Sequence, residues 1–173
     1  MILTTERLIL RPWKDEDAES LYKYAKDPDV GPIAGWPVHT SVEDSLRVIK
    51  TALSGDETYA IVLRETNEPI GSIGLMIGSV SSIAKDNTEA EIGYWIGKPY
   101  WGQGLIPEAV NEIIRYASDD LNIKTLWCGY YDGNTKSKRV QEKCGFKYDH
   151  TEENYFCELM NEYRTCHYTI IKK

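Results

Sequence analysis

The chain has 173 residues, 42% of them hydrophobic, with five tryptophans and a net charge of −7. That size and apolar content suit one folded domain over residues 1–173 and exclude a disordered chain. The acidic balance argues against a nucleic-acid partner, which needs basic surface; no apolar run suits a membrane span or a leader, so the cytoplasm is the expected location.

In chain order, Thr5 to Trp13 alternates Leu8 and Leu10 against Arg7, Ile9 and Arg11, which predicts a first strand. Asp15 to Lys26 sets Ala18, Leu21, Tyr22 and Ala25 on one helical face, with Pro28 as a stop. Gly31 to His39 is rich in Gly and Pro and reads as a loop. Thr40-x-x-Glu43 predicts a capping box for a second helix with Val42, Leu46, Ile49 and Leu53 inward. Tyr59 to Leu63 and Ile70 to Ile77 are predicted strands joined by a turn at Asn67-Glu68-Pro69. A polar loop from Gly78 to Thr88 precedes a strand from Glu89 to Ile96. Ile106 to Ser118 is a third helix with Ala109, Ile113 and Ala117 inward. Thr125 to Tyr131 is a strand, and Thr135 to Cys144 a short helix stopped by Gly145. Phe146 to Tyr148 and Tyr163 to Ile171 complete the strands. Adjacent strands in this order disfavour a purely parallel sheet and favour a mixed α/β sheet.

The chemistry concentrates where the strand ending at Ile96 runs through Gly102-Gln103-Gly104 into a helix beginning near Ile106. Two glycines at a helix entrance let backbone N–H groups converge with no side chain in the way, and the positive end of the helix favours a phosphate. The nucleoside-triphosphate loop is excluded because Leu105 and Ile106 follow Gly104 instead of Lys and Ser or Thr. The dinucleotide fingerprint is excluded because Pro107 holds the place of its third glycine.

Tyr100-Trp101-Gly102-Gln103-Gly104, preceded by Glu91-Ile92-Gly93-Tyr94-Trp95-Ile96, resembles the acyl-coenzyme A pyrophosphate loop of the GNAT N-acetyltransferase superfamily. Pro99 departs from the Gln or Arg frequent three residues before the first glycine, and is similar to the branch that acetylates ribosomal-protein N-termini. Asn134-x-x-Ser137 followed by Glu142-Lys143-Cys144-Gly145-Phe146 resembles that family's second signature. The resemblance implies a GNAT fold: an α/β architecture with a mixed, mostly antiparallel central sheet and flanking helices. Its strands ending near Ile96 and beginning near Thr125 splay apart around acetyl-coenzyme A. The cosubstrate site so implied comprises Trp95, Ile96, Gly97, Trp101, Gly102, Gln103, Gly104, Leu105, Ile106 and Asn134. Asn134 is also an N-cap by local physics.

Acyl transfer to an amine requires removal of an ammonium proton, stabilisation of the thioester oxygen and relief of charge on the departing sulfur. By resemblance Glu91 is the candidate base, with Glu89 as a spare, and a backbone N–H at Trp95 or Ile96 faces the oxygen. Many members carry a tyrosine acid where this chain has Gln141; the ribosomal-protein branch implies Ser137 instead, and Tyr130 and Tyr131 are further hydroxyls of unknown facing. Ser137 equally suits a helix first turn. Trp36 and His39, in the early loop, and Tyr94 are the candidate acceptor wall. Regular alternation puts Glu91 with Gly93 and Trp95 and puts Tyr94 with Ile92 and Ile96, so both reach one site only if the strand is bulged.

The function expected is transfer of acetyl to a primary amine, on a protein N-terminus or a small molecule, by direct attack. A non-catalytic acyl-coenzyme A-binding module and a nucleotide-binding protein are the rival readings. Cys128, Cys144, Cys157 and Cys166 show no C-x-x-C pair and no ligand spacing with His39, His150 or His167, so buried thiols and no metal are expected. Monomer and homodimer both stay open.

Overall fold

The computed structural model describes residues 1–173. Eight strands form one sheet: β1 (Leu3–Thr4), β2 (Leu8–Pro12), β3 (Thr58–Leu63), β4 (Glu68–Ile77), β5 (Glu89–Ile96), β6 (Thr125–Tyr131), β7 (Lys147–Cys157) and β8 (Glu162–Lys172). Their order is β1-β2-β3-β4-β5-β6-β8-β7, antiparallel throughout except for the parallel pair β5 and β6. The helices are α1 (Ala18–Ala25), α2 (Gly31–Ala34), α3 (Val42–Lys50), α4 (Leu105–Asp119) and α5 (Thr135–Lys143). The mixed, mostly antiparallel sheet matches the expected fold class. No helix is long and apolar enough to cross a membrane.

Each sheet face buries the apolar stripe of different helices. Ala18, Leu21 and Ala25 of α1 and Ile49 of α3 pack with Trp13, Ala60 and Val62. Ala109, Ile113 and Ala117 of α4 are fully buried with Leu8, Leu10, Ile61, Ile73 and Ile92. Period 2 in the strands and period 3.6 in the helices therefore meet across both faces.

The sheet forks at its centre. β5 and β6 pair only from Glu89 with Thr125 to Ile92 with Cys128. Gly93 to Ile96 and Gly129 to Tyr131 have no partner across that line. β5 stays in unbroken register with β4, from Gly71 with Ile96 to Ile77 with Ala90. The bulge that would bring Glu91 and Tyr94 to one face is therefore absent, and they point to opposite faces of the sheet.

Several local expectations change. The α3 N-cap is Ser41, not Thr40: Ser41 Oγ accepts from the Asp44 N–H at 3.0 Å, while the Thr40 N–H donates to the Asp44 carboxylate. The predicted loop Gly31–His39 contains the one-turn α2, closed by Gly35 at φ 95°. The β3–β4 turn falls at residues 64–67, with Asn67 at φ 56°, and Glu68 and Pro69 already belong to β4. Pro69 is tolerated there because the register shifts beside it, between Ile61 and Val62. The predicted strand Thr5–Trp13 is β2 preceded by a turn and the short β1. β7 extends to Cys157, well past the predicted Tyr148.

Candidate active site

The fork opens into a cleft of about 1170 Å³. Its walls come from α2, the end of β5, the turn into α4, the end of β6 and the face of α5.

At one end lies the glycine turn. Gly102 (φ 73°) and Gly104 (φ 75°) both sit in the left-handed region, where a Cβ is strained and glycine is not. Gly104 is the α4 N-cap and has no side chain to satisfy the first turn. The five successive N–H groups from Gly102 to Ile106 have no acceptor in the protein, since the next amide donor is Glu108, to the Gly104 carbonyl. Five unpaired donors at the positive end of a 15-residue helix are the chemistry that favours an anion.

That turn is braced from behind. Trp101 Nε1 donates to the Ile96 carbonyl at 3.0 Å, and Gln103 Nε2 to the Pro99 carbonyl at 2.9 Å. Arg7 Nη1 donates to the Gln103 carbonyl at 2.9 Å, while its Nε and backbone N–H hold the Glu108 carboxylate at 2.7 and 2.8 Å. Burial alone would raise the Glu108 carboxyl, but hydrogen bonds from Thr5 and Arg7 hold it below the usual range. Gly97 serves packing: a Cβ there would lie 2.6 Å from the Tyr24 ring.

The fork supplies the middle of the cleft. The Gly97 N–H donates to the Ile70 carbonyl, so alternate residues Trp95 and Gly93 aim their backbone groups at β4. Tyr94 and Ile96 aim theirs toward β6, as the Cys128 thiol on the Ile92 carbonyl confirms for that side. Beyond Ile92 those amides face open cleft. Of the two oxyanion candidates, Trp95 spends its N–H on the sheet and Ile96 does not.

At the α5 end, Asn134 Oδ1 caps the helix by accepting from the Ser137 N–H at 3.3 Å, which leaves its amide NH₂ free. Ser137 Oγ meets the Tyr94 hydroxyl at 2.9 Å and the Gln141 amide nitrogen at 3.2 Å. Tyr94 thus joins Ser137 in the cleft wall. Lys136 lies over the Trp101 ring, 4.4 Å from its centroid.

Other predicted site residues sit elsewhere. Glu91 lies outside the cleft lining, on the opposite face of β5, where its carboxylate accepts from Ser81 Oγ at 2.8 Å and burial pushes its pKa up. Glu89, the spare base, accepts from Trp127 Nε1 at 2.9 Å. His39 is a core residue, only 8% exposed: its Nδ1 bonds Ser45 Oγ at 2.8 Å, and burial lowers its pKa. It stays out of the cleft because its backbone N–H is tied to the Ala25 carbonyl, under α1. Trp36 does not line the cleft either; it packs edge-on against Trp95, a lining residue, at 5.3 Å between centroids. All four cysteines are free thiols, three buried and Cys144 half-buried.

Contacts with no local sequence signal complete the site. Arg164 of β8 donates to the Pro32 carbonyl at 2.6 Å and lies over the Tyr131 ring, and the Cys157 thiol donates to the Gly35 carbonyl. Together they hold α2 at the cleft mouth.

A family model described as an acetyltransferase (GNAT) domain matches residues 7–147. The chain belongs to the GNAT acetyltransferase family. This acetyltransferase is 30% identical over 176 residues to the uncharacterized N-acetyltransferase YoaA of Bacillus subtilis (strain 168), covering 99% of this chain and 97% of that protein. Ribosomal-protein-S5-alanine acetyltransferase from Vibrio fischeri shares the fold, with a TM-score of 0.73 at 19% identity over 99% of this chain and 96% of that one. So does the microcin C7 self-immunity acetyltransferase MccE, solved with acetyl-CoA and AMP, with a TM-score of 0.77 at 20% identity over 98% and 94%.

Proposed function

We propose that this acetyltransferase moves an acetyl group from acetyl-coenzyme A to a primary amine by direct attack, with both substrates bound together. The observation that carries this reading is the row of five free N–H groups from Gly102 to Ile106, four of them on residues that line a cleft running into the β5–β6 fork. A pyrophosphate matches those donors in charge and number, and a linear arm matches the fork. The bound MccE structure supports acetyl-coenzyme A as the occupant.

Acetyl-coenzyme A supplies an activated carbonyl with a thiol leaving group. Within the chain, the Gly102–Ile106 amides bind phosphate, Trp101 and Gln103 brace that turn, and the free NH₂ of Asn134 offers a donor to an amide carbonyl on the arm. The Ile96 N–H faces the fork as a donor for developing negative charge. Trp95 and Tyr94 wall the reacting region, with Trp36 supporting Trp95 from behind.

Glu91 is assigned as the proton acceptor, acting through water because it lies outside the cleft lining. Burial raises its pKa, and a carboxylate with a raised pKa is a stronger base once ionised. A protein N-terminus is the preferred acceptor, supported by the shared fold of the ribosomal-protein acetyltransferase; a small-molecule amine is the second class. The test is thiol release from acetyl-coenzyme A with a panel of N-terminal peptides and small amines. Release with one class identifies the acceptor, and coenzyme A binding without release from any amine leaves a binding module instead.

A further inference from the structure

Ser137 lines the cleft and is, by resemblance to the ribosomal-protein branch, the residue expected at a departing sulfur, but a serine hydroxyl has three hydrogen-bonding sites and no fixed direction. What surrounds it determines whether its proton points into the cleft or back into the protein.

Gln141 settles one site. Its side chain is buried, 1% exposed. Nε2 lies 3.1 Å from the Gly129 carbonyl, and the Thr169 hydroxyl donates to Oε1 at 2.7 Å. The reverse amide orientation would set two carbonyl oxygens against each other at the Gly129 contact, so the amide is locked. Its second N–H then donates to Ser137 Oγ at 3.2 Å.

Tyr94 settles the second site. Its hydroxyl lies 2.9 Å from Ser137 Oγ and 3.2 Å from the Ser137 carbonyl. Both oxygens are acceptors for its one proton, since the carbonyl keeps a second lone pair beside its α5 ladder bond; Oγ is the nearer of the two and is the acceptor taken in this inference. Burial holds the phenol well above its ordinary pKa, so it stays protonated as a donor. With Tyr94 and Gln141 both donating, the lone pairs of Oγ are taken and the serine's own proton is left for donation from a residue that lines the cleft.

We propose that Tyr94 and Gln141 are positioning residues that make Ser137 an obligate hydrogen-bond donor into the cleft, at the place where many relatives use a tyrosine acid. The inference rests on the acetyl-coenzyme A reading of the site. Gln141 is then not a lost acid but the partner that makes a serine serve, and Thr169 is the group that fixes Gln141. Each donor into Oγ also polarises its O–H bond.

The test is a double-mutant cycle on Tyr94→Phe and Ser137→Ala, read by thiol release, alongside the ionisation of bound coenzyme A followed by thiolate absorbance. Ser137→Ala should lower kcat about 10- to 150-fold, the loss of one bond to a developing charge. Tyr94→Phe, close in shape and checked for folding by circular dichroism, should lower kcat about fivefold with little change in KM for acetyl-coenzyme A. It should add nothing in the Ser137→Ala background. The bound thiol should ionise at higher pH in either variant than in the wild type, while the charged groups lining the cleft, Lys136, Arg139, Lys143, Arg164, Asp29 and Asp132, are unchanged. Additive losses of rate, or a thiol titration indifferent to Tyr94, would overturn the positioning role. Wild-type protein that fails to bind coenzyme A would overturn the underlying reading and this inference with it.

Discussion

The glycine turn and the Ser137 network both line one cleft and, in the proposed reading, work in opposite ways. The turn acts through backbone amides, and side chains matter there chiefly by their absence. The network acts through side chains of β5, α5 and β8, and backbone matters only as the frame. Backbone function leaves a compact signature, two glycines with φ near +75° in three residues. Side-chain function assembled across the sheet leaves none: Gln141 and Thr169 are 28 residues apart.

The largest way to break this pairing is at neither end. Glu91→Gln should lower kcat on the order of 10²-fold, as removal of a general base does. Coenzyme A affinity should stay unchanged, because Glu91 lies outside the cleft lining. The acidic limb of the pH–rate profile should disappear with it. Steady-state kinetics across pH check this, and wild-type turnover in the variant would make Glu91 a structural carboxylate.

The bracing of the turn predicts a smaller effect. Glu108→Ala removes the acceptor of the Thr5 and Arg7 bonds, so the protein should lose about 1–3 kcal/mol of stability in denaturant titration. Coenzyme A affinity should fall about two- to fivefold, an effect on geometry alone. The Glu108 carboxyl is held below its usual range in the folded state, so its contribution is present above the unfolded pKa and lost as pH falls through the folded one. The variant and wild type should therefore converge in stability at acid pH, and a constant gap would contradict the clamp.

The smallest predicted effect concerns Glu91 again, now as a cost to the fold. Its folded pKa is raised by burial, so its favourable contribution is full below the unfolded pKa and lost as pH rises through the folded value. At pH above the folded value the ionised group opposes folding. Glu91→Gln should therefore raise the unfolding midpoint at neutral pH, with the gain shrinking as pH falls to the ordinary carboxylate range. A midpoint lowered at neutral pH would mean that the Ser81 contact outweighs burial.

The same division explains what the sequence made legible. β5, β6 and α4 follow from plain alternation and helical spacing, and the glycine turn from its excluded alternatives. The splayed fork came only through family resemblance, since no local pattern separates two strands. β7 was truncated because Asp149 to Asn154 is polar on both faces, as a strand at the sheet edge is allowed to be. The cap lies at Ser41 and not Thr40 because both residues suit the role, and the reciprocal bonds form between Ser41 Oγ and the Asp44 N–H and between the Asp44 carboxylate and the Thr40 N–H. His39 read as a loop residue but is buried by a tertiary contact with Ser45. Tyr94 and Glu91 require a bulge to share a face; without one, the strand gives Tyr94 to the Ser137 side and Glu91 to the Ser81 side.

The central claim, that the Gly102–Ile106 amides hold the phosphates of acetyl-coenzyme A, is tested most directly by calorimetric titration of the wild type and Gly104→Val. Valine at φ 75° adds a branched side chain and backbone strain where the chain must approach the ligand. For a variant that remains folded by circular dichroism, acetyl-coenzyme A affinity should fall more than about tenfold, or roughly 1.4 kcal/mol. Equal affinity in the two proteins would remove the turn from the site and contradict the account.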